Sequence, residues 1–122
     1  MPGWAEVDER RGRLYVVSWS AMRHGRRANG WVRAVNRAVP VQELGLLVRE
    51  ALAQSRSDVP MVNFRDPAQS PTAPLLAAAG VKSYEGYARS MRACFVDLDD
   101  ARPGLLIRPT HNDTSHLGGE RP

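Results

Sequence analysis

Hydrophobic and polar positions along the chain divide it into strand-like, helix-like and unpatterned stretches. "WAEV" and "LYVVSWSAM" are two short runs rich in β-branched and aromatic residues, separated by "DERRGR". They predict two strands around a turn, with Gly12 supplying a permissive turn position. Leu14, Tyr15, Val16 and Val17 are apolar without alternation, which predicts a strand covered on both faces. Arg23 to Asn29 predicts a polar loop ending at Gly30. "WVRAVNRAV" fits a short helix face through Trp31, Val35 and Ala38, and also fits a strand; the flanking Gly30 and Pro40 favour a short strand.

"VQELGLLVREALAQSR" has the clearest period. Leu44, Leu47, Val48, Ala51 and Leu52 recur at i, i+3, i+4, i+7 and i+8, the stripe of an amphipathic helix. Glu43 near its start and Arg56 near its end suit the helix dipole. Gly45 lowers helix propensity, and a close backbone approach to a strand is one physical reason for it. "SDVPMVNFRDPAQSPTAP" predicts a long proline-rich loop, and "PLLAAAG" a short helix stopped by Gly80, with Ser70 or Thr72 as its cap. Ser83 caps a second short helix whose inner face is Tyr84, Tyr87, Ala88 and Met91. "ACFVDLDD" alternates as a strand does, and "LLIRPT" after the turn "DDARPG" predicts its hairpin partner. The expectation is an α+β fold: a single small domain over residues 1–112, a mostly antiparallel sheet packed with about three helices, and a flexible tail over 113–122.

Length and composition agree with this. The 122 residues are 43% hydrophobic and 25% charged, an ordinary globular balance for one domain. The single cysteine, Cys94, excludes an internal disulfide framework and suits a reducing compartment. No apolar run is long enough to span a membrane, and "MPGWAEVDERR" lacks the pattern of a signal peptide. A cytoplasmic location is therefore expected.

Charge adds a further feature. The formal net charge is +4, and no Asp or Glu occurs between Arg10 and Gln42. "RHGRRANGWVRAVNR" alone holds five of the arginines. A stretch of one sign is compatible with a solvated loop, a nucleic-acid contact or a protein contact. Nucleic-acid binding calls for several stacking aromatics among the basic residues, and Trp31 is the only one here. Arg and Trp are also enriched in protein interface hot spots. Arg23, Arg26, Arg27 and Trp31 are therefore candidate partner-binding residues. Asp99 and Asp100, in an acidic cluster with Asp97 at a hairpin end, are the second candidates.

Signals for other chemistry are weak. His111, His116, Asp113 and Cys94 match no structural zinc spacing, so no metal or other cofactor is expected. His24, His111 and Lys82 contain the groups of an RNA-cleaving site, but nothing in the sequence brings them together, and no nucleophile motif is present. An enzyme is not expected. "PLLAAAGVKSYEGYARSMR" resembles a helix-turn-helix in outline, yet Gly86 and Arg89 fall where the second helix needs apolar packing residues.

Three segments together point to a family. Leu44, Gly45, Ala51, Leu52, Ser55 and Arg56 form the first. Gly80, Val81, Ser83, Tyr84, Tyr87, Ala88 and Cys94 form the second. Pro109, Thr110 and Asn112 form the third. This pattern, over about residues 40 to 112, resembles the immunity proteins of contact-dependent growth inhibition systems. Tyr87 stands where that family's pattern has Phe, and the basic charge departs from the acidic character common in inhibitors of nucleic-acid-cleaving toxins. The resemblance implies a cytosolic inhibitor that binds a cognate C-terminal toxin domain, usually a nuclease, with no cofactor and no membrane contact. The alternative partner is nucleic acid, bound by a basic module.

Overall fold

The computed structural model describes residues 2–61 and 70–98, and the backbone of 105–111. Five strands, β1 (Gly3–Arg10), β2 (Arg13–Ala21), β3 (Arg26–Asn36), β4 (Met91–Leu98) and β5 (Leu105–His111), form one antiparallel sheet in the order β3-β2-β1-β4-β5. Three helices, α1 (Val41–Ala53), α2 (Ala73–Ala79) and α3 (Tyr84–Ala88), lie between β3 and β4 in the chain. The α+β class expected from the pattern is the one observed.

The helices divide between the two faces of the sheet. On one face α1 packs Ala51 and Leu52, with Leu44, Leu47 and Val48 beside them, against Ala5, Val16 and Val96. On the other, Leu75 of α2 and Tyr87 and Ala88 of α3 meet Tyr15, Val17, Ala28 and Met91. The unbroken apolar run at Tyr15–Val17 has this cause: successive side chains enter different cores, and all three are buried.

The β1–β2 connection is shorter than "DERRGR" suggests. Arg11 (φ 52°) and Gly12 (φ 79°) make a two-residue turn with positive φ at both positions, and Arg10 pairs with Arg13. Asp8, Glu9 and Arg10 therefore belong to β1. They stay in the strand because Asp8 and Arg10 find polar partners on α3. The loop expected over Arg23–Asn29 is likewise shorter. β3 begins at Arg26, and Ala28, paired with Trp19, is buried.

Gly45 has no close neighbour: a Cβ there would meet nothing within 4 Å. The close approach occurs at Gly3, where a Cβ would lie 2.7 Å from the Leu52 carbonyl oxygen. That contact lets the end of α1 sit on the start of β1. Alanine at position 45 is accordingly expected to raise stability by about 0.5–1 kcal/mol. An upward shift of the urea midpoint would show it, and an unchanged or lower midpoint would contradict it.

Helix ends follow the expectations in part. Ser83 caps α3, its Oγ accepting from the Gly86 N–H at 3.1 Å, and Gly80 ends α2 with φ 70°. Thr72 precedes α2 without a side-chain cap bond. Beyond α1, Arg56 turns back and donates from Nη1 to the Ala53 carbonyl at 3.4 Å. Among the described residues no helix is long and apolar enough to cross a membrane. The expected tail over 113–122 lies outside the described residues.

Candidate protein-binding surface

Even-numbered residues of β1 carry an unusual row on the face shared with α2 and α3: Trp4, Glu6, Asp8 and Arg10. Period-two alternation puts them on one side of the strand, and three of them are buried, Glu6 to 5% exposure, Asp8 to 0% and Arg10 to 6%. Buried charge needs partners. Tyr87 Oη donates to Asp8 Oδ2 at 2.6 Å, and Arg10 Nε donates to the Tyr87 carbonyl at 3.1 Å while its guanidinium lies 5.7 Å from the Tyr87 ring centre. Asp8 Oδ1 is buried without a hydrogen-bond partner. Burial, reinforced by the Glu6 carboxylate on the same face and opposed by the Tyr87 donor, pushes the Asp8 carboxyl up to about 10. It is thus a neutral acid at pH 7. Burial and the same two carboxyls push the Tyr87 phenol upward as well.

Trp4, Trp19, Phe95 and Arg26 line a cavity of about 220 Å³. Trp19 meets Phe95 edge to face, centroids 5.9 Å apart, and its Nε1 donates to Glu6 Oε1 at 3.1 Å. The Arg26 guanidinium stands 5.4 Å from the centre of the Trp4 ring and 3.6 Å from Asp97 Oδ1. The register explains this grouping, since Trp4 pairs with both Trp19 and Asp97, and Glu6 with Phe95.

The arginine stretch does not remain one unit. Arg23 is exposed in the β2–β3 turn. Arg26 lies on the α2/α3 face, over Trp4. Arg27 donates from Nε to the Pro60 carbonyl at 3.3 Å. Trp31 packs with the α1-side core and carries Arg33 over its ring at 4.5 Å. Strand alternation causes the split: Arg26 shares the face of Ala28, Val32 and Ala34, and Trp31 takes the other. Between them lies a bulge, where Val17 pairs with Val32 and Trp19 with Ala28, so Asn29, Gly30 and Trp31 stand opposite Ser18 alone. Asp99 and Asp100 lie outside the described residues; Asp97, just before them, is the member of the acidic cluster that meets Arg26.

Groups considered for catalysis are not gathered. His24 follows β2, whereas His111 ends β5 opposite Arg92, at the other end of the sheet, and Lys82 is exposed in the α2–α3 turn. Among the described residues no group of three His, Cys, Asp or Glu side chains is arranged to hold a metal ion. Cys94 is half-buried in β4, and burial raises its thiol. The helix-turn-helix outline is absorbed by the core, because Leu75 of α2 and Tyr87 and Ala88 of α3 all pack on the sheet.

The open aromatic cavity was not singled out from the sequence. Its available signal was the alternation of Trp4 with Glu6 and of Val17 with Trp19, which assigns a common face without saying what covers it.

A five-stranded antiparallel sheet with helices on both faces defines a small α+β domain. No family model matches the chain, and no curated protein compared with it matches in sequence. Solved structures share its fold, two of which are described. One is a protein of unknown function from Neisseria meningitidis, with a TM-score of 0.69 at 20% identity over 90% of this chain and 73% of that one. The other is a chain of the CdiA-CT/CdiI toxin and immunity complex from Yersinia pseudotuberculosis, with a TM-score of 0.63 at 19% identity over 90% of this chain and 74% of that one. At these identities the similarity is one of fold.

Proposed function

We propose that this chain is an immunity protein: it binds and neutralises a cognate toxin domain, a nuclease by class, of a contact-dependent growth inhibition or related polymorphic toxin system, in the cytoplasm of the cell that makes it. The observation that carries the reading is the shared architecture over 90% of the chain with a chain of a toxin and immunity complex. It coincides with the family resemblance in the sequence from about residue 40 to 112. Such a protein acts through its surface, so it needs no catalytic group and no cofactor.

The partner-binding surface would include Arg23, Arg26, Arg27 and Trp31, with Asp99 and Asp100 as a second part. Because Arg26 and Trp31 lie on different faces of the sheet, a toxin touching both must span the β3 edge. A specific interface buries roughly 800 Å² on each partner, and charge complementarity speeds encounter and sorts cognate from foreign toxins. A nucleic-acid-binding module is the second reading, favoured by the absence of acidic residues from β2 and β3. Its signature is affinity that falls steeply with added salt.

Co-expression tests the first reading. The toxic C-terminal domain encoded directly upstream is expected to kill cells when expressed alone. It is expected to spare them, and to co-purify, when this chain is present. Cell death with no complex would remove the proposal.

A further inference from the structure

Alternation along β3 puts Arg27, Trp31 and Arg33 on the α1 side of the sheet. Arg27 pairs with Ser20, and Trp31 packs with Ala51 and Leu52. Arg56, just beyond α1, donates its backbone N–H to Ser20 Oγ at 2.9 Å and so stands beside Arg27. These three guanidiniums touch backbone carbonyls and one ring. Arg27 donates from Nε to the Pro60 carbonyl at 3.3 Å and from Nη1 to the Ala28 carbonyl at 3.2 Å. Arg33 donates from Nη1 to the Val32 carbonyl at 3.0 Å and lies 4.5 Å from the centre of the Trp31 ring. Arg56 donates from Nη1 to the Ala53 and Ser55 carbonyls at 3.4 and 3.2 Å. Among the described residues none of the three has a carboxylate within 4 Å, whereas Arg26 on the opposite face has Asp97 at 3.6 Å. Each guanidinium carries several N–H donors beyond those used. The strip is therefore a line of positive charge without its counter-charge, and Arg33 and Arg56 are exposed.

We infer that this strip receives an acidic segment of the protein partner, whose Asp and Glu side chains pair with Arg27, Arg33 and Arg56. Charge complementarity selects the class, and the planar guanidinium matches a carboxylate in a two-point hydrogen bond. The Trp31 ring holds Arg33 in place before binding, so less side-chain freedom is lost when the pair forms. Nucleic acid fits the strip less well. Single strands bind by stacking bases on free rings, and Trp31 is already covered by Arg33 and packed on the α1-side core. A duplex is held through about six to ten phosphate contacts, more than three arginines supply, whereas a few arginines can dominate a protein interface. That the partner is a toxin domain rests on the proposed immunity function; its acidic character rests on the strip. A basic inhibitor then has no need to imitate nucleic acid, because it meets the toxin where the toxin is acidic.

The test uses the full chain and a fluorescent oligoglutamate peptide, followed by anisotropy at constant ionic strength, with single-stranded and duplex oligonucleotides of equal charge as competing probes. Arg33→Gln and Arg27→Gln are each expected to weaken oligoglutamate binding about three- to tenfold. Arg13→Gln removes the same charge from the other face, where Arg13 alternates with Tyr15 and Val17, and should change binding less than twofold, on the order of a rim charge. Undetectable oligoglutamate binding, equal losses from Arg13→Gln and Arg33→Gln, or tighter binding of either oligonucleotide overturns the inference. The same variants mixed with the upstream toxin domain separate the two ideas. A toxin complex weakened by Arg33→Gln and spared by Arg13→Gln supports both. A complex unaffected by Arg27→Gln and Arg33→Gln overturns the strip and leaves the immunity reading intact. Oligoglutamate binding that follows the strip, with no toxin complex, supports the strip and removes the immunity reading.

Discussion

Asp8→Asn is expected to stabilise the protein by about 1–3 kcal/mol at pH 8 and to flatten its stability between pH 5 and pH 9. Asp8 is fully buried, bonded at Oδ2 to Tyr87 Oη and without a partner at Oδ1, and burial pushes its carboxyl up to about 10 from 3.8. The folded chain thus holds a proton that the unfolded chain releases. The stabilising contribution is whole below pH 3.8, declines as pH rises, and is gone once pH passes the folded value. The limiting slope is about 1.4 kcal/mol per pH unit for one group. Asparagine is neutral throughout and can still accept from Tyr87, so the slope vanishes with the acid. The predicted gain is smaller than the full linkage, because the new amide N–H groups also need partners in the core. Urea denaturation of both proteins at pH 5 and pH 9 reads this directly. Parallel pH profiles would show that Asp8 is not a proton-holding acid.

The same residue shows where sequence patterns stop. Local rules located α1 from its apolar stripe, the cap of α3 from Ser83, and a doubly covered strand from Leu14 to Val17. Each of these depends on residues within a few positions. Asp8 and Arg10 fell in the expected turn because a polar alternating segment is ordinarily solvent-facing. What buries them is Tyr87, 79 residues farther on from Asp8, and no local period reports a contact of that range. Gly45 is a residue of low helix propensity in a strongly patterned helix, yet the tight backbone approach belongs to Gly3, whose neighbour Leu52 is distant in sequence.

The candidate surface was legible to the same limited depth. Counting arginines from Arg23 to Arg37 treats the stretch as one basic patch. A strand alternates its side chains, Arg26 and Trp31 stand an odd number of positions apart, and the bulge at Asn29–Trp31 adds two residues and leaves the alternation in phase. One therefore joins Trp4, and the other the α1 core. Trp4, Trp19 and Phe95 are separated in sequence and meet through the pairing of β2, β1 and β4. Without that pairing, each is one more apolar strand residue.

Asn29→Ala is expected to cost about 2–4 kcal/mol. Asn29 Nδ2 donates its two hydrogens to Ser18 Oγ at 2.8 Å and Ser20 Oγ at 2.9 Å, with the Gln54 carbonyl at 3.3 Å sharing one of them, while its Oδ1 accepts from the Trp31 N–H at 3.1 Å. The two serines are fully buried and tied onward to α1 and its exit, Ser18 donating to the Ala51 carbonyl and Ser20 accepting from the Arg56 N–H. This one amide therefore fixes the bulge of β3, the interior of β2 and the end of α1. Alanine leaves the bulge without its internal acceptor and removes the donor shared by two buried hydroxyls. Asn29→Asp is expected to be worse than alanine, because it turns the donor into a charged acceptor facing the Gln54 carbonyl. For a domain whose whole stability is on the order of 5–15 kcal/mol, either change should be plain in a guanidinium denaturation curve. A loss under about 1 kcal/mol for alanine, or an aspartate variant more stable than it, would show that the bulge is held by strand packing instead.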